Sequence, residues 1–339
     1  MRVAVSLSLV IGLLGLVLAC GQSNSEPVKK PDKVVFMAGY KPQANLPFVA
    51  VYVAHEKGYF TDQNLEVEIL HAASGEHLKL LVAGDIQVTT AAATSVLKRR
   101  ADPELPIVAF ALLGQRGQQG YVALKESGIE TLDDWEEKRF GYKISLPPDY
   151  IALMAAGEVD RSKIQEVRVG FDPRILTEGQ VDILSVFKSN EPNLIRKLGH
   201  EVNLWDPSDY GVPTMGLTYI TRDDIVADNP EVLKRFLKAT LKAVNDIVTD
   251  PAAAVAVTLK FAPNADRDHQ LFMLESEIAD AVGPVTNERN FGWMTSEQWE
   301  DLYNGLVSAE ALPKRFDYKT AFTTEFLDAI HDGQDLVWP

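Results

Sequence analysis

A chain of 339 residues, 46% hydrophobic and 24% charged, has an ordinary globular composition and the length of two domains that each bury a core. With 33 Lys and Arg against 48 Asp and Glu, its net charge of −15 argues against a nucleic-acid binder, which needs a basic patch for phosphate. The lone cysteine, Cys20, excludes a disulfide framework and a multi-cysteine zinc site, and a single long apolar stretch excludes a polytopic membrane protein.

That stretch opens the chain. Arg2 supplies a short positive region, residues 3–18 are apolar, and Leu16-Val17-Leu18-Ala19-Cys20 ends the run. This is the layout of a secretory signal, too short for an ordinary spanning helix. A small residue followed at once by Cys resembles a bacterial lipobox, in which residues 1–19 are removed and Cys20 is acylated as the new N-terminus. Residues 20–32 then read as a lipid-anchored linker, polar and containing Ser, Asn, Pro and Lys. The mature protein is expected outside the cytoplasmic membrane, touching it only through the lipid, with no access to cytosolic ATP or reduced nicotinamide.

Residues 33–39 alternate and predict a first strand; Pro42 and Pro47 mark a loop, and residues 48–57 predict a helix stopped by Gly58. Strands follow at 65–70, 86–89 and 107–112, with helices at 75–83 and 91–99 between them. After residues 121–124 the alternation restarts: helices at 131–135, 149–156, 173–178 and 192–198, strands at 139–143, 166–169, 181–186, 202–204 and 215–220. Such alternation implies mostly parallel sheets covered on both faces. Beyond Asp223 the signal is helical, with Val232, Phe236, Leu237, Leu241, Val244 and Val248 on one face behind Asp228-Asn229-Pro230.

Two segments echo each other. Leu81-Val82-Ala83-Gly84-Asp85-Ile86-Gln87-Val88 and Leu176-Thr177-Glu178-Gly179-Gln180-Val181-Asp182-Ile183 each read as helix, glycine stop and short strand. Each strand is expected to run into a polar loop, Thr89-Thr90 or Lys188-Ser189-Asn190-Glu191. Ligands bind at the carboxyl ends of strands in open α/β sheets, so two lobes built alike offer two facing rims to one ligand; the helix–glycine–strand unit is also common by chance.

Ala54-His55-Glu56-Lys57-Gly58-Tyr59-Phe60 followed by Leu65-Glu66-Val67-Glu68 resembles the solute-binding proteins of ABC importers, in the group that takes thiamine precursors, sulfonates and riboflavin. The match continues in order through residues 81–90, 131–141, 178–183 and 229–251, nearly the whole mature chain. The resemblance implies an α/β, two-lobed periplasmic-binding-protein fold of type II, each lobe a mixed, mostly parallel sheet flanked by helices. By similarity, lobe 1 joins residues 33–114 to a helical C-terminal region, 218–339, and lobe 2 is the intervening 115–217. The lobes are expected to close on a small solute about a hinge, with Gly114-Gln115-Arg116-Gly117-Gln118-Gln119-Gly120 at the first crossover. The same resemblance implies delivery to a separate permease and its ATPase, by a monomer.

Ligand-binding candidates follow from chemistry and position. Tyr40, Asn45 and Phe48 surround the start of a helix, which favours anionic or carbonyl oxygens, although Phe48 equally suits the core. Thr90 lies in the polar loop after a strand, and Gln115 and Arg116 form a polar pair at the crossover, where Arg can hold a carboxylate, a phosphate or a ring face. In lobe 2, Asp149 reads as an N-cap that would turn Tyr150 towards the cleft, Asn190 and Glu191 sit at a rim, and Tyr210 with Trp205 brackets a turn near the return crossover. Trp293, Trp299 and Trp338 read as structural. Aromatics and amides dominate over anion clamps, which favours a planar heteroaromatic vitamin: riboflavin first, then a thiamine pyrimidine precursor, with a sulfonate behind them.

Enzyme readings carry less. The glycine run 114–120 lacks the order and setting of a dinucleotide site, and no P-loop or G-x-S-x-G element is present. His71 and His77 are wrongly spaced to share a helical face, so no metal ligand is assigned, and no catalytic residue or cofactor either. The yeast-type thiamine-pyrimidine synthases share the implied architecture but carry a cysteine-rich motif, and here the one cysteine is in the leader. A surface scaffold would show repeats or an exposed apolar stripe, and neither is visible.

Overall fold

The computed structural model describes residues 30–73, 75–143 and 145–339, of which Pro31–Pro339 form one compact unit. The leader and Cys20, with the cleavage and acylation expected there, lie outside the described residues. No helix among the described residues is long and apolar enough to cross a membrane.

The chain begins with β1 (Asp32–Ala38), α1 (Leu46–Glu56), α2 (Tyr59–Asp62), β2 (Leu65–His71), α3 (His77–Ala83), β3 (Val88–Ala92), α4 (Ala93–Ala101) and β4 (Ile107–Leu112). It continues with β5 (Gln119–Leu124), β6 (Arg139–Tyr142), α5 (Pro148–Ala156), β7 (Gln165–Arg168), α6 (Arg174–Thr177), β8 (Ile183–Phe187), α7 (Glu191–Lys197) and β9 (Val202–Trp205). After β10 (Leu217–Arg222) come α8 (Asp223–Asp228), α9 (Pro230–Thr249), α10 (Pro251–Phe261), α11 (Arg267–Ala281), α12 (Pro284–Arg289), α13 (Ser296–Ser308) and α14 (Glu325–Ile330). A small hairpin, β11 (His331–Asp332) and β12 (Asp335–Leu336), closes the chain.

Two five-stranded sheets result, ordered β2-β1-β3-β10-β4 and β7-β6-β8-β5-β9. In the first, β10 alone runs against the other four strands. In the second, the reversed strand is β5, in the same place in the order. Each sheet is therefore mixed and mostly parallel, and each takes its reversed strand from the chain just after it crosses over. The two echoing segments fall at matching positions, α3–β3 and α6–β8. Their glycine stops both need a left-handed backbone, Gly84 at φ +90° and Gly179 at φ +69°, which an L side chain adopts only with strain.

The helical C-terminal region packs on the first sheet. Leu233, Phe236, Leu237, Leu241 and Val244 of α9 are buried against α1, and Phe326 of α14 meets Phe110 of β4 edge-on at 6.1 Å. Burial of each such side chain stabilises the fold by roughly 1.5–3 kcal/mol, so this face, more than helix propensity, holds the region in place. The second sheet packs on its own aromatic cluster, where Phe140 stacks on Tyr150 at 4.1 Å and Trp135 meets Trp205 edge-on at 5.3 Å.

Two local expectations change. Thr89 and Thr90 are buried strand residues, not a polar loop, because β-branched side chains suit the pleat and the Thr90 hydroxyl accepts a bond from the Gly39 amide at 3.1 Å. Residues 131–135 hold one 3-10 turn, Asp133–Trp135, because the Asp134 carboxylate accepts from the amides of Glu130 and Thr131 and fixes a turn in place of a helix.

Candidate functional site

The chain passes between the sheets along residues 114–119 and 212–217, which lie side by side. The Gly216 amide donates to the Gly114 carbonyl at 2.9 Å, and the Gly117 amide to Thr214 Oγ1 at 2.9 Å. A Cβ on Gly216 would lie 2.7 Å from the Arg116 carbonyl oxygen and 3.0 Å from Gly114 Cα, so the approach requires glycine.

Beside the crossovers is a cavity of about 410 Å³. The first lobe contributes Thr94 and Ser95 at the start of α4, and Leu302, Gly305 and Leu306 of α13; the second contributes Lys143, Asp149, Phe171 and Phe187; Gln118, Gln119 and Thr214 come from the crossovers and the start of β5. Phe171 and Phe187 are unusual for rings of their size in being 66% and 45% exposed. Lys143 holds its ammonium 5.8 Å from one ring centroid and 5.3 Å from the other, a cation–π arrangement. It donates to the buried Glu191 carboxylate, whose other oxygen accepts from the Phe187 amide at 2.8 Å. Glu191 therefore positions both the cation and the ring.

Burial pushes the Asp149 carboxyl up to about 6. Lys98 of α4, opposite it, is lowered by burial, and the Asp149 charge acts against that shift. Asp149 is not the N-cap expected of it; Pro147 occupies that position, without a side-chain bond.

Further along the seam, α11 faces the second lobe with a row of polar groups. Asp266 pairs with Lys197 at 2.7 Å, His269 contacts Asn190 at 3.0 Å and Asn193 at 2.8 Å, and Asp280 accepts from Lys188 at 2.8 Å. Lys188 also donates to Asp206 at 2.5 Å. Glu277 Oε1 accepts from Asn45 Nδ2 at 2.9 Å, Gln118 Nε2 at 2.8 Å and Ser189 Oγ at 3.1 Å. Burial raises the Glu277 carboxyl above its ordinary value, while these donors act to lower it.

The residues singled out in the sequence fall into three groups. Phe48, Thr90 and Tyr150 are buried in the lobe cores; Tyr150 points into the aromatic cluster, not towards the cleft, because Phe140 and Trp135 stack with it. Asn45, Gln115, Arg116, Asn190 and Glu191 engage protein partners: Gln115 donates to the Trp293 carbonyl at 2.8 Å and accepts from Gln298 at 2.9 Å, and Arg116 pairs with Asp206 at 2.8 Å and with Asp209. Tyr40 and Tyr210 are exposed at 50% and 41%. None of these ten lines the cavity. Gln118 and Gln119 stood inside the glycine run at the first crossover, whereas Phe171 belonged to no motif, since an exposed ring has no periodicity to give it away.

Among the described residues no group of three or more His, Cys, Asp or Glu side chains could hold a metal ion. What the cavity offers is ring faces, amides, hydroxyls, the Lys143 ammonium and one carboxylate between two lobes joined by two crossover segments. That is the architecture of a solute-binding protein. A structure of a sulfonate ABC transporter's periplasmic binding protein SsuA from Methylobacillus flagellatus superposes with a TM-score of 0.69 at 14% identity, covering 89% of this chain and 94% of that one. Residues 45–254 match the model described as NMT1/THI5 like, and the chain belongs to that family.

It is similar to the riboflavin-binding protein RibY of Chloroflexus aurantiacus, 24% identical over 315 residues, spanning 90% of this chain and 88% of that protein. It is equally similar to the formylaminopyrimidine-binding protein of Halalkalibacterium halodurans, 24% identical over 331 residues, with 94% and 97% covered. Yeast 4-amino-5-hydroxymethyl-2-methylpyrimidine phosphate synthases match at 25% identity over 256 residues.

Proposed function

We propose that this solute-binding protein of the ABC-importer type captures a planar heteroaromatic vitamin, with riboflavin favoured, in the cleft between its lobes and delivers it to a permease and its ATPase. The observation that carries this reading is the pair of exposed rings, Phe171 and Phe187, both close to Lys143 in a cavity of about 410 Å³. Ring faces are offered to solvent at a cost unless a flat ligand covers them, and a volume of this order suits a small ligand. The full-length similarity to RibY supports riboflavin, and the similarity to the formylaminopyrimidine-binding protein supports a pyrimidine precursor of thiamine as the second reading. We place the lobes at residues 33–114 with 218–339 and at 115–217, consistent with the glycine contact between the crossovers, and the lipid anchor on Cys20. The protein binds as a monomer and turns nothing over.

The purified protein, kept under non-denaturing conditions, is expected to be yellow or to show saturable quenching of tryptophan fluorescence at one riboflavin per chain. A colourless protein that ignores riboflavin but binds an aminopyrimidine overturns the flavin and leaves the receptor. Steady consumption of either ligand overturns the binding role.

A further inference from the structure

Two adjacent glutamines give the cavity a direction. Gln118 Nε2 donates to the Glu277 carboxylate at 2.8 Å, and Gln119 Nε2 donates to Ser185 Oγ at 2.7 Å and to the Val186 carbonyl at 2.9 Å. A carboxylate and a backbone carbonyl can only accept, so neither amide can be turned over without setting oxygen against oxygen. The Gln119 NH₂ group is thus wholly committed to the protein, and the Gln118 NH₂ group is held in place by one N–H on Glu277. The carbonyl oxygens of both side chains have no partner among the described residues, and both residues line the cavity.

Building on the proposed heteroaromatic reading, we infer that the crossover edge of the cleft is an acceptor edge, selecting ligands that present ring or exocyclic N–H donors to the Gln118 and Gln119 carbonyls. Glu277 is a positioning residue in this scheme: it touches no ligand and fixes the amide of Gln118. Asp149 adds carboxylate oxygens to the same cavity. A flavin imide or an aminopyrimidine supplies such donors; a sulfonate, whose oxygens only accept, meets like with like. Removing a required hydrogen-bond donor discriminates far more strongly than removing a methylene, because the site's acceptors are then left unpaired.

The test uses pairs of ligands on the unaltered protein: lumiflavin against its N3-methyl derivative, and 4-amino-2-methylpyrimidine against its dimethylamino derivative, with an alkanesulfonate alongside. The member that keeps its N–H is expected to bind at least tenfold more tightly, and in a Gln119→Leu or Gln118→Met protein that ratio falls towards one while the methylated ligand binds as before. Equal binding of both members of a pair overturns the acceptor edge and leaves the heteroaromatic reading standing. Binding of the sulfonate alone, or of no heteroaromatic at all, overturns both.

Discussion

Asp149 shows how one side chain sets a pH dependence. Its carboxyl titrates at about 6 because burial disfavours the anion, against an ordinary value of 3.8. Well below pH 3.8 it is protonated in both folded and unfolded chains and costs nothing. As pH rises to about 6 the unfolded chain gives up its proton first, so this group's contribution to stability falls across that window and levels off above it. The full penalty is on the order of 3 kcal/mol, since each pH unit separating the folded from the unfolded titration is worth about 1.4 kcal/mol. Urea unfolding of Asp149→Asn should therefore match the parent at about pH 3, below the unfolded titration, and exceed it at pH 8. Equal differences at both pH values would show that the buried carboxylate carries no penalty. This position was legible in sequence as an acid at a helix start, which is why capping was the reading; only the fold shows Pro147 in the cap and Lys98 nearby.

Helix α13 is the element that closes the cavity from the first lobe, and its sequence carries the means. Thr295 and Gln298 form a reciprocal capping box that satisfies two amides at its start, while Trp299 is wholly buried and stacks on Phe322 at 5.1 Å. In its last turn, Gly305 presents open space where a Cβ would stand, on the wall of the cavity. Gly305→Ala is expected to stabilise the protein by roughly 0.5–1 kcal/mol through helix propensity, read from the denaturant midpoint. Gly305→Trp should fill the cavity and abolish ligand binding with little change in that midpoint. Retained affinity in the Trp variant would place the ligand elsewhere. Strands and helices were largely legible from periodicity, because each buries one face or both; β4 is found at the limits its apolar run predicts. The cavity wall was less legible. Periodicity reports what is buried, and Phe171, Phe187 and Gly305 matter here because they are not.

The two lobes are tied by charge on one side of the crossovers. Lys188 is almost fully enclosed between Asp206 and Asp280, and it joins the second lobe to α11. Lys188→Met leaves Asp280 without its ion-pair partner and Asp206 with Arg116 alone, at a cost of roughly 1–3 kcal/mol. The variant should melt earlier and, by small-angle scattering, be more expanded than the parent. An unchanged radius with unchanged stability would assign the seam no part in holding the lobes. The exchange of strands between segments also governs the order in which the protein can assemble. Within its sheet β4 pairs only with β10, and β10 is made after every strand of the second sheet. A growing chain emerging from its N-terminus can complete the second sheet while the first still has a gap beside β3. β4, made before every strand of the second sheet, is thus locked after them, and until residue 222 is available it is an apolar strand with both sheet edges bare, open to a chaperone.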